Sequence, residues 1–218
     1  MSTGGRMPRA QRRAQLLAIA TESFTRAGFE AVAMDDIARR AGVTKPVLYQ
    51  HFRSKQDLYL AVVEEVGARL LAGAEHLSTS PGDTYERARE GLGRFWELTY
   101  PAAALRLFTR SAQPSEDISR RIGEILDEVS RIISSVLLRS REIDEDSARV
   151  LGRTLLATAQ STAALLAGTE EPAERDRILD TVTRLVVGGL LDFAPLPDPG
   201  VAGEVTAAEA GTGRPRRR

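Results

Sequence analysis

Apolar residues recur every three or four positions along most of this chain, and no long stretch alternates strictly between apolar and polar residues. In the first such segment, at about residues 9–27, Leu16, Ala20 and Phe24 fall on one helical face. Gly28 follows directly, and a glycine in the left-handed conformation commonly ends a helix. The pattern predicts an all-α fold that begins with a helix over 9–27.

Three more helices are predicted in the first third of the chain. Short helices fit residues 34–41 and 45–52, and a long one begins after Ser54 and continues to about residue 77. Ser54 is a favourable N-cap residue, and Asp57 places a carboxylate in the first turn, where the helix dipole stabilises it. We therefore expect an N-terminal three-helix domain at 9–60, from which the fourth helix leads into a helical-bundle domain at 61–195.

Helical periodicity continues through the remainder of the chain. Helices are expected at about 84–101 and 102–109, and two long helices at about 146–167 and 172–193. Between these pairs, branched apolar residues spaced alternately four and three apart predict a helix that packs against other helices. They are Ile118, Ile122, Ile125, Val129, Ile132 and Val136. Residues 196–218 are rich in proline, glycine and arginine and are predicted to form a disordered tail.

The composition excludes several classes of function. The 218 residues contain no cysteine and two histidines, His51 and His76, neither of which lies in a catalytic motif. No catalytic residue, metal site or cofactor is therefore predicted. No apolar run reaches the roughly 18 to 20 residues that a membrane span needs, and the N-terminus is basic rather than apolar. These features predict a cytoplasmic protein without a membrane partner.

The charge of the chain is divided between its two ends. The net formal charge is zero, but ten of the 30 Lys and Arg residues and five of the 30 Asp and Glu residues lie within the first 60 positions. The N-terminal part is thus basic and the remainder acidic. A basic domain on an acidic body is typical of a protein that binds a polyanion. The alternative is a solvated surface whose asymmetry has no function.

Residues 37–52 read IARRAGVTKPVLYQHF and predict two short helices that cross at a steep angle. Ala38 supplies a small contact residue, and Gly42 permits the positive φ of a tight turn. Thr44 is predicted to cap the next helix, with Pro46 in its first turn, where proline is tolerated. Ile37, Val43, Leu48 and Phe52 are predicted to form the small core between these helices.

This arrangement leaves the beginning of the third helix exposed. Such a helix end fits the major groove of DNA, because its N-terminal side chains reach the base edges and its free N–H groups favour phosphate. The block from Arg12 to Leu60, and especially GVTKPVLYQHF at 42–52, resembles the tetracycline-repressor (TetR) family. The resemblance implies a helix-turn-helix at 33–52 that binds double-stranded DNA.

By position, the resemblance assigns roles to individual residues of this chain. Lys45 and Pro46 would face the bases, and the cap residue Thr44 is a further candidate for DNA contact. Tyr49, His51 and Lys55 would contact phosphates. Gln50 is a further candidate base reader, because an amide can pair with adenine.

Less specific interpretations of these residues remain open. Tyr49 could pack on the first helix, and His51 could be an ordinary, partly exposed helical residue. Arg9, Arg12 and Arg13 could form a solvated face instead of a DNA-binding arm. The family usually has threonine followed by serine or threonine before the second helix, where this chain has VA at 32–33, so no DNA contact is expected there.

The resemblance also implies a homodimer formed by the last two long helices. Gly188 and Gly189 interrupt the apolar stripe of the last helix, at a cost of roughly 1 kcal/mol each relative to alanine, and close approach of a partner helix would explain them. The preceding helix is small-faced at Thr154, Thr158 and Ser161 and at Ala164. Ordinary packing within one chain is the alternative. A dimer predicts a palindromic operator, because two reading helices about 34–36 Å apart contact both half-sites.

Aromatic side chains concentrate in the middle of the second domain, where folds of this kind enclose a cavity. The residues predicted to bind an effector there are Arg94, Trp96, Tyr100, Phe108 and Gln160. A plain hydrophobic core is the alternative. The expected function is a repressor that a small hydrophobic effector releases from its operator. The alternatives are a constitutive DNA binder or activator without an effector, and an enzyme or helical scaffold whose motif is incidental.

Overall fold

A computed structural model of the chain describes residues 7–77, 79–99, 107–108 and 114–195. In these residues the fold consists of α-helices, and the all-α prediction is confirmed. The helices are α1 (Arg9–Ala31), α2 (Met34–Arg40), α3 (Lys45–His51), α4 (Lys55–Leu77), α5 (Thr84–Thr99), α6 (Glu116–Ser140), α7 (Glu145–Ala167) and α8 (Pro172–Leu190). The tail predicted at 196–218 lies outside the described residues, as does all but Leu107 and Phe108 of the helix predicted at 102–109.

Helix α1 has a break where its end was predicted. Gly28 has φ 79° and ψ 170°, and helical geometry continues after it as far as Ala31. The chain redirected by Gly28 brings Phe29 beside Phe24, and the Tyr59 ring of α4 meets both edge-on at centroid distances of 5.2 and 5.1 Å. Burial of this ring raises the pKa of Tyr59 to about 12. The aromatic trio therefore fixes the end of α1 to α4.

The predicted turn between α2 and α3 is present. Gly42 has φ 65°, and the Val43 amide donates to the Ala38 carbonyl at 3.0 Å, which closes the turn. Leu48 of α3 is fully buried and Phe52, directly after α3, nearly so. Of the predicted small core, Val43 is the member that remains half-buried.

Two polar contacts fix the orientation of the N-terminal helices. Arg40 of α2 donates to the Glu22 carboxylate and to the Ser23 hydroxyl of α1, each at 2.6 Å. At the start of α4, the Asp57 amide donates to the Ser54 hydroxyl at 3.0 Å, and the Arg53 amide donates to the Asp57 carboxylate at 2.8 Å. The Ser54 hydroxyl thus caps the first turn of α4, which confirms the predicted start of this helix.

Helix α6 packs between α4 and α7. A Cβ atom added to Gly67 of α4 would lie 2.6 Å from the Ile125 side chain of α6, so the two helices are close there. Beside this contact, Arg121 of α6 donates to both carboxylate oxygens of Glu64 at 2.6 and 2.9 Å. The guanidinium lowers the pKa of the Glu64 carboxyl group, and the carboxylate raises the pKa of Arg121.

The apolar seam predicted on α6 is confirmed for its first four members, from Ile118 to Val129, which are buried. Ile132 and Val136 are only half-buried. A straight helix has 3.6 residues per turn, so a repeat of 3.5 drifts around its surface. In the last turns the buried face includes Ser134 and Leu137 instead.

Helix α8 contacts the bundle through apolar residues such as Leu179 and Val182 and also through polar ones. Tyr85 of α5 donates a short hydrogen bond to Asp180, and Arg89 of α5 pairs with Asp176 at 2.9 Å. Within α8, Thr183 and Leu190 are the buried residues. No helix in the described part of the chain is both long and apolar enough to cross a bilayer.

Candidate DNA interface and ligand cavity

The beginning of α3 projects from the N-terminal unit with its side chains exposed. They belong to Thr44, Lys45, Pro46, Tyr49 and Gln50. The Tyr49 side chain is 41% exposed, although its ring is large and apolar. The ring is therefore not buried in the core. The buried Leu48 on the opposite face of α3 anchors this helix to the core.

The capping role predicted for the Thr44 side chain is wrong. Thr44 has the extended conformation of an N-cap residue, φ −80° and ψ 154°, but its hydroxyl makes no capping hydrogen bond. Its carbonyl instead accepts hydrogen bonds from the amides of Val47 at 3.0 Å and Leu48 at 3.2 Å. Because Pro46 has no N–H, one donor of the first turn needs no cap. The hydroxyl is thus left for other partners.

Lys45 is held by a carboxylate of the neighbouring helix. Its Nζ atom lies 2.9 Å from Oδ1 of Asp35, in the first turn of α2. Hydrogen bonding to Asp35, together with its charge, raises the pKa of Lys45. More than half of each side chain is exposed, so the pair lies on the surface that α3 presents.

A cluster of basic residues from α1 lies beside the C-terminal end of α3. The Arg13 guanidinium lies 4.7 Å from the centroid of the Phe52 ring. The pKa of His51 is lowered, first by burial and then by the positive charges of Arg9, Arg13 and Arg12. These arginines therefore share a surface with α3. Their spacing on the polar face of α1 was visible in the sequence, but their distance from α3 was not.

One ring nitrogen of His51 faces the protein interior. Its Nδ1 atom is buried and has no hydrogen-bond partner among the described residues. A histidine with a lowered pKa is neutral at neutral pH, so it carries one N–H donor. The outer nitrogen, Nε2, is the one that can donate to an external acceptor.

Lys55 occupies a different environment from Lys45. Its Nζ atom donates to the Glu30 carbonyl at 3.2 Å and lies 4.3 Å from the centroid of the Phe29 ring. Lys55 thus stabilises the carbonyl end of α1, where a cation is favoured. The ammonium group has three N–H donors, so this contact leaves donors for a phosphate.

A partly open cavity of about 170 Å³ lies between α4, α5, α6, α7 and α8. Apolar side chains form most of its wall, including Leu70, Phe95, Val129, Leu156 and Leu190. The polar and charged residues of the wall are Thr84, Arg87, Arg94, Ser140 and Arg141. An apolar cavity with a few polar groups is typical of a small-molecule site.

Only one described member of the predicted effector site lines this cavity. It is Arg94, whose Nε atom also pairs with Glu90 at 3.1 Å. Trp96, Phe108 and Gln160 are not among the residues that line this cavity. Trp96 lies under the Arg175 guanidinium, 5.4 Å from the ring centroid, and Phe108 is buried in the core. Tyr100 lies outside the described residues.

Sequence reasoning missed Arg141, which follows α6 directly. This residue lines the cavity and is only 7% exposed. Its Nη1 atom donates to the Phe193 carbonyl at 3.3 Å, and its Nη2 atom donates to the Thr84 hydroxyl at 2.8 Å. One arginine among 28, in a polar turn between two helices, gives no sequence signal of burial.

Helices α7 and α8 present an exposed apolar face to solvent. Its large side chains are Val150, Leu165 and Leu185, which are 62%, 54% and 73% exposed. At Gly188 and Gly189 an added Cβ would meet no atom within 4 Å. Packing within this chain therefore does not require these two glycines.

No cluster of His, Asp and Glu suited to a metal ion occurs among the described residues.

Comparison with known proteins relates both parts of the chain to transcriptional regulators. The family model described as "Bacterial regulatory proteins, tetR family" matches residues 16–62, which include α2, α3 and the start of α4. The activator FasR of Mycolicibacterium smegmatis, an HTH-type transcriptional protein, is 30% identical over 189 residues, or 86% of each chain.

Solved structures resemble the whole described fold. The crystal structure of a TetR-like transcriptional regulator from Rhodococcus sp. RHA1 has a TM-score of 0.67 and 25% identity, covering 85% of this chain and 99% of that one. FadR of Bacillus subtilis, solved in complex with stearoyl-CoA, has a TM-score of 0.65 and 18% identity, covering 81% of this chain and 98% of that one.

Proposed function

Because this chain belongs to the tetR family of bacterial regulatory proteins, which are DNA-binding transcriptional regulators and not enzymes, we propose that it binds an operator through residues 9–60 and responds to a small molecule through residues 61–195. The observation that carries the proposal is that the beginning of α3 is exposed while the opposite face of this helix is anchored in the core. Lys45, Tyr49 and Gln50 face outward there, while Leu48 is fully buried.

The proposed division of contacts within the interface follows from chemistry and position. Thr44, Lys45, Pro46 and Gln50 reach the base edges, because N-terminal residues of a reading helix enter the major groove. Tyr49, His51 and Lys55 contact phosphates. The adjacent arginines of α1 add a sequence-independent attraction to the DNA backbone.

The operator proposed for this protein is palindromic, because the active form is a homodimer joined through α7 and α8. The exposed Leu165 and Leu185 support this, since water contact with large apolar side chains is unfavourable and a partner would cover them. The open space beside Gly188 and Gly189 supports close helix approach between the two protomers.

A small molecule bound in the cavity controls the affinity for DNA. FadR, which has the same fold, holds stearoyl-CoA, so the fold itself can house a ligand with an apolar part. To change DNA affinity, the ligand must favour one of two arrangements of the N-terminal units. We propose release from the operator on ligand binding, as a repressor requires.

A second candidate function is activation of transcription. FasR, at 30% identity, is named as an activator. The same DNA-binding and cavity geometry serves either sign of control, which depends on where the operator lies relative to the promoter.

The test of DNA binding is fluorescence anisotropy with labelled duplexes that tile the DNA flanking the gene of this protein. We expect one duplex containing an inverted repeat to bind at least a hundredfold more tightly than the others, with two chains per duplex in sedimentation experiments. Uniform weak binding to every duplex at physiological salt would contradict the proposal. In vitro transcription on the bound duplex then decides between repression and activation.

A further inference from the structure

The wall of the cavity contains one buried positive charge. The Arg141 residue is 7% exposed, and both of its terminal nitrogens donate to uncharged oxygens, those of Phe193 and Thr84. Among the described residues no carboxylate forms an ion pair with it. A guanidinium is always protonated in a protein and has five N–H donors. Its charge is therefore uncompensated, and donors remain.

A buried charge without a counter-ion is unfavourable, because the charged group has lost its hydration. The other arginines of the wall differ from it, because Arg87 is only half-buried and Arg94 has a carboxylate partner. Arg94, which lines the same cavity, pairs with Glu90, and Arg121 pairs with Glu64. In the described part of the cavity wall, Arg141 is thus the buried cation that lacks a counter-ion. An anionic ligand would supply this missing charge.

Arg141 lies at one end of the cavity. It contacts Thr84, the first residue of α5, and follows the last residue of α6, so these helix ends meet there. Val129 and Leu156 line the cavity from the middle of α6 and α7. The wall therefore offers a charged end and an apolar interior, and a matching ligand is an amphiphile.

The volume limits the apolar part of that ligand. A protein cavity of about 150 Å³ holds one benzene molecule, and this cavity measures about 170 Å³. Without rearrangement of the wall, the apolar part is thus a single ring or a short alkyl chain.

We propose, on the basis of the proposed function, that the effector of this regulator is a small anionic amphiphile whose acidic group binds Arg141 and whose short apolar part fills the cavity. A carboxylate and a phosphate monoester share the required chemistry. Charge-assisted hydrogen bonds to a guanidinium hold either group, and the bidentate geometry favours both.

Titration calorimetry of the full-length protein tests this inference without DNA. The probes are octanoate, octyl phosphate and the neutral octan-1-ol, with hexanoate and decanoate to bracket the length. We expect an anionic probe to bind at least tenfold more tightly than octan-1-ol, because the neutral head cannot compensate the charge. Comparison of octanoate with octyl phosphate identifies which acid fits.

Three variants separate recognition from folding. Arg141→Met removes the charge and retains much of the side-chain volume, Arg141→Lys retains the charge, and Arg139→Met is the control, an exposed arginine two residues away. We expect Arg141→Met to weaken the anionic probes at least tenfold and to leave octan-1-ol unchanged. Arg141→Lys should retain part of the preference for anions, and Arg139→Met should bind as the wild type does.

Circular dichroism and operator affinity of each variant report whether it folds, so a loss of binding in a folded protein supports the inference. Equal binding of octanol and octanoate, unchanged binding by folded Arg141→Met, or no binding of any anionic probe would overturn it. Operator binding that persists in that case leaves the regulatory function intact. Conversely, octanoate could bind in a manner that depends on Arg141 without altering operator affinity. That result would support the binding site and contradict the proposal that a ligand in it controls DNA binding.

Discussion

Lys45 and Asp35 join the first turns of two helices, with Nζ of the lysine 2.9 Å from Oδ1 of the aspartate. Lys45 is the first residue of α3, and Asp35 belongs to α2. A base or phosphate that binds Lys45 must compete with this carboxylate. Asp35 thus restrains a proposed DNA-reading residue and adds a negative charge to the surface that DNA would approach.

We expect Asp35→Asn to increase affinity for the operator by about three- to tenfold, because one phosphate-repelling charge is removed and Lys45 is released. The salt dependence of log affinity should become steeper by about one unit, since one more cation displaces counter-ions. Anisotropy titrations over a range of salt concentrations measure both quantities. Asp36→Asn, which removes a charge paired with Arg39 instead, is the control. Equal effects of the two variants would contradict the restraint of Lys45.

The two lysines are predicted to have different roles in recognition. Lys45→Met should change which base is preferred at one position of each half-site, at a cost of about 1–3 kcal/mol for the best sequence. Lys55→Met should weaken binding to all sequences and lower the salt slope by about one unit. Binding to a library of operator variants distinguishes the two outcomes. If both variants change base preference equally, the assignment of Lys55 to a phosphate is wrong.

His51 makes the stability of the N-terminal unit depend on pH. Its pKa in the folded chain lies below its ordinary value of 6.5, so the unfolded chain binds the proton more tightly. Its contribution is fully present above about pH 6.5 and is lost as the pH falls through the lowered pKa. Urea denaturation from pH 8 to pH 5 should therefore show a smaller acid-induced loss of stability for His51→Gln than for the wild type. Identical pH profiles would contradict this.

Bound DNA should favour the protonated form of His51, whereas the free protein favours the neutral form. A phosphate beside Nε2 favours the imidazolium, so the affinity for DNA should rise as the pH falls towards 6, and this rise should disappear in His51→Gln. Fluorescence anisotropy at constant ionic strength measures this DNA affinity for the wild type and for His51→Gln.

Two glycines provide a matched pair of stability tests. A Cβ at Gly152 of α7 would lie 2.6 Å from the backbone oxygen of Ser130, whereas one at Gly123 of α6 would meet no atom within 4 Å. Gly152→Ala should destabilise the fold by about 1–3 kcal/mol through overpacking. Gly123→Ala should stabilise it by about 0.5–1 kcal/mol, because alanine loses less backbone entropy in a helix. Urea denaturation measures both, and a stable Gly152→Ala protein would refute the close approach of α6 and α7.

The proposed dimer is tested at Leu185, which is 73% exposed. Leu185→Glu should convert the dimer to a folded monomer, because two carboxylates would meet at a symmetric interface without counter-ions. Analytical ultracentrifugation measures the mass, and operator affinity should fall at least a hundredfold. Ala72→Glu, at an exposed position of α4, is the control and should remain dimeric. A dimer that survives Leu185→Glu would exclude this face as the interface.

The N-terminal unit was largely predictable because its signals are local. Gly42 requires a positive φ, the Ser54 hydroxyl caps α4, and Leu48 falls on the apolar face of a short helix. Each of these features depends on residues within four positions of one another. The absent cap at Thr44 differs because the backbone carbonyl of that residue and Pro46 already satisfy the geometry of the first turn.

The ligand cavity was poorly predictable because it depends on which faces of five helices converge. Aromatic composition selected Trp96 and Phe108, but Arg175 covers the first and the core encloses the second. Arg141 contributes through contacts with residues 52 and 57 positions away. No pattern within a single helix encodes such distances, so the buried cation emerges only from the tertiary packing.

Helix α4 is continuous from Lys55 to Leu77, so its 23 residues measure about 34 Å. One end is capped beside the aromatic trio, and the other reaches the cavity wall at Leu77. Because a helix is stiff along its axis, a small rotation at one end of α4 displaces the other end in proportion to the length of the helix. A tilt of about 5° at the cavity end would carry the far end through about 3 Å over that span, which is close to the spacing of neighbouring base pairs along a duplex.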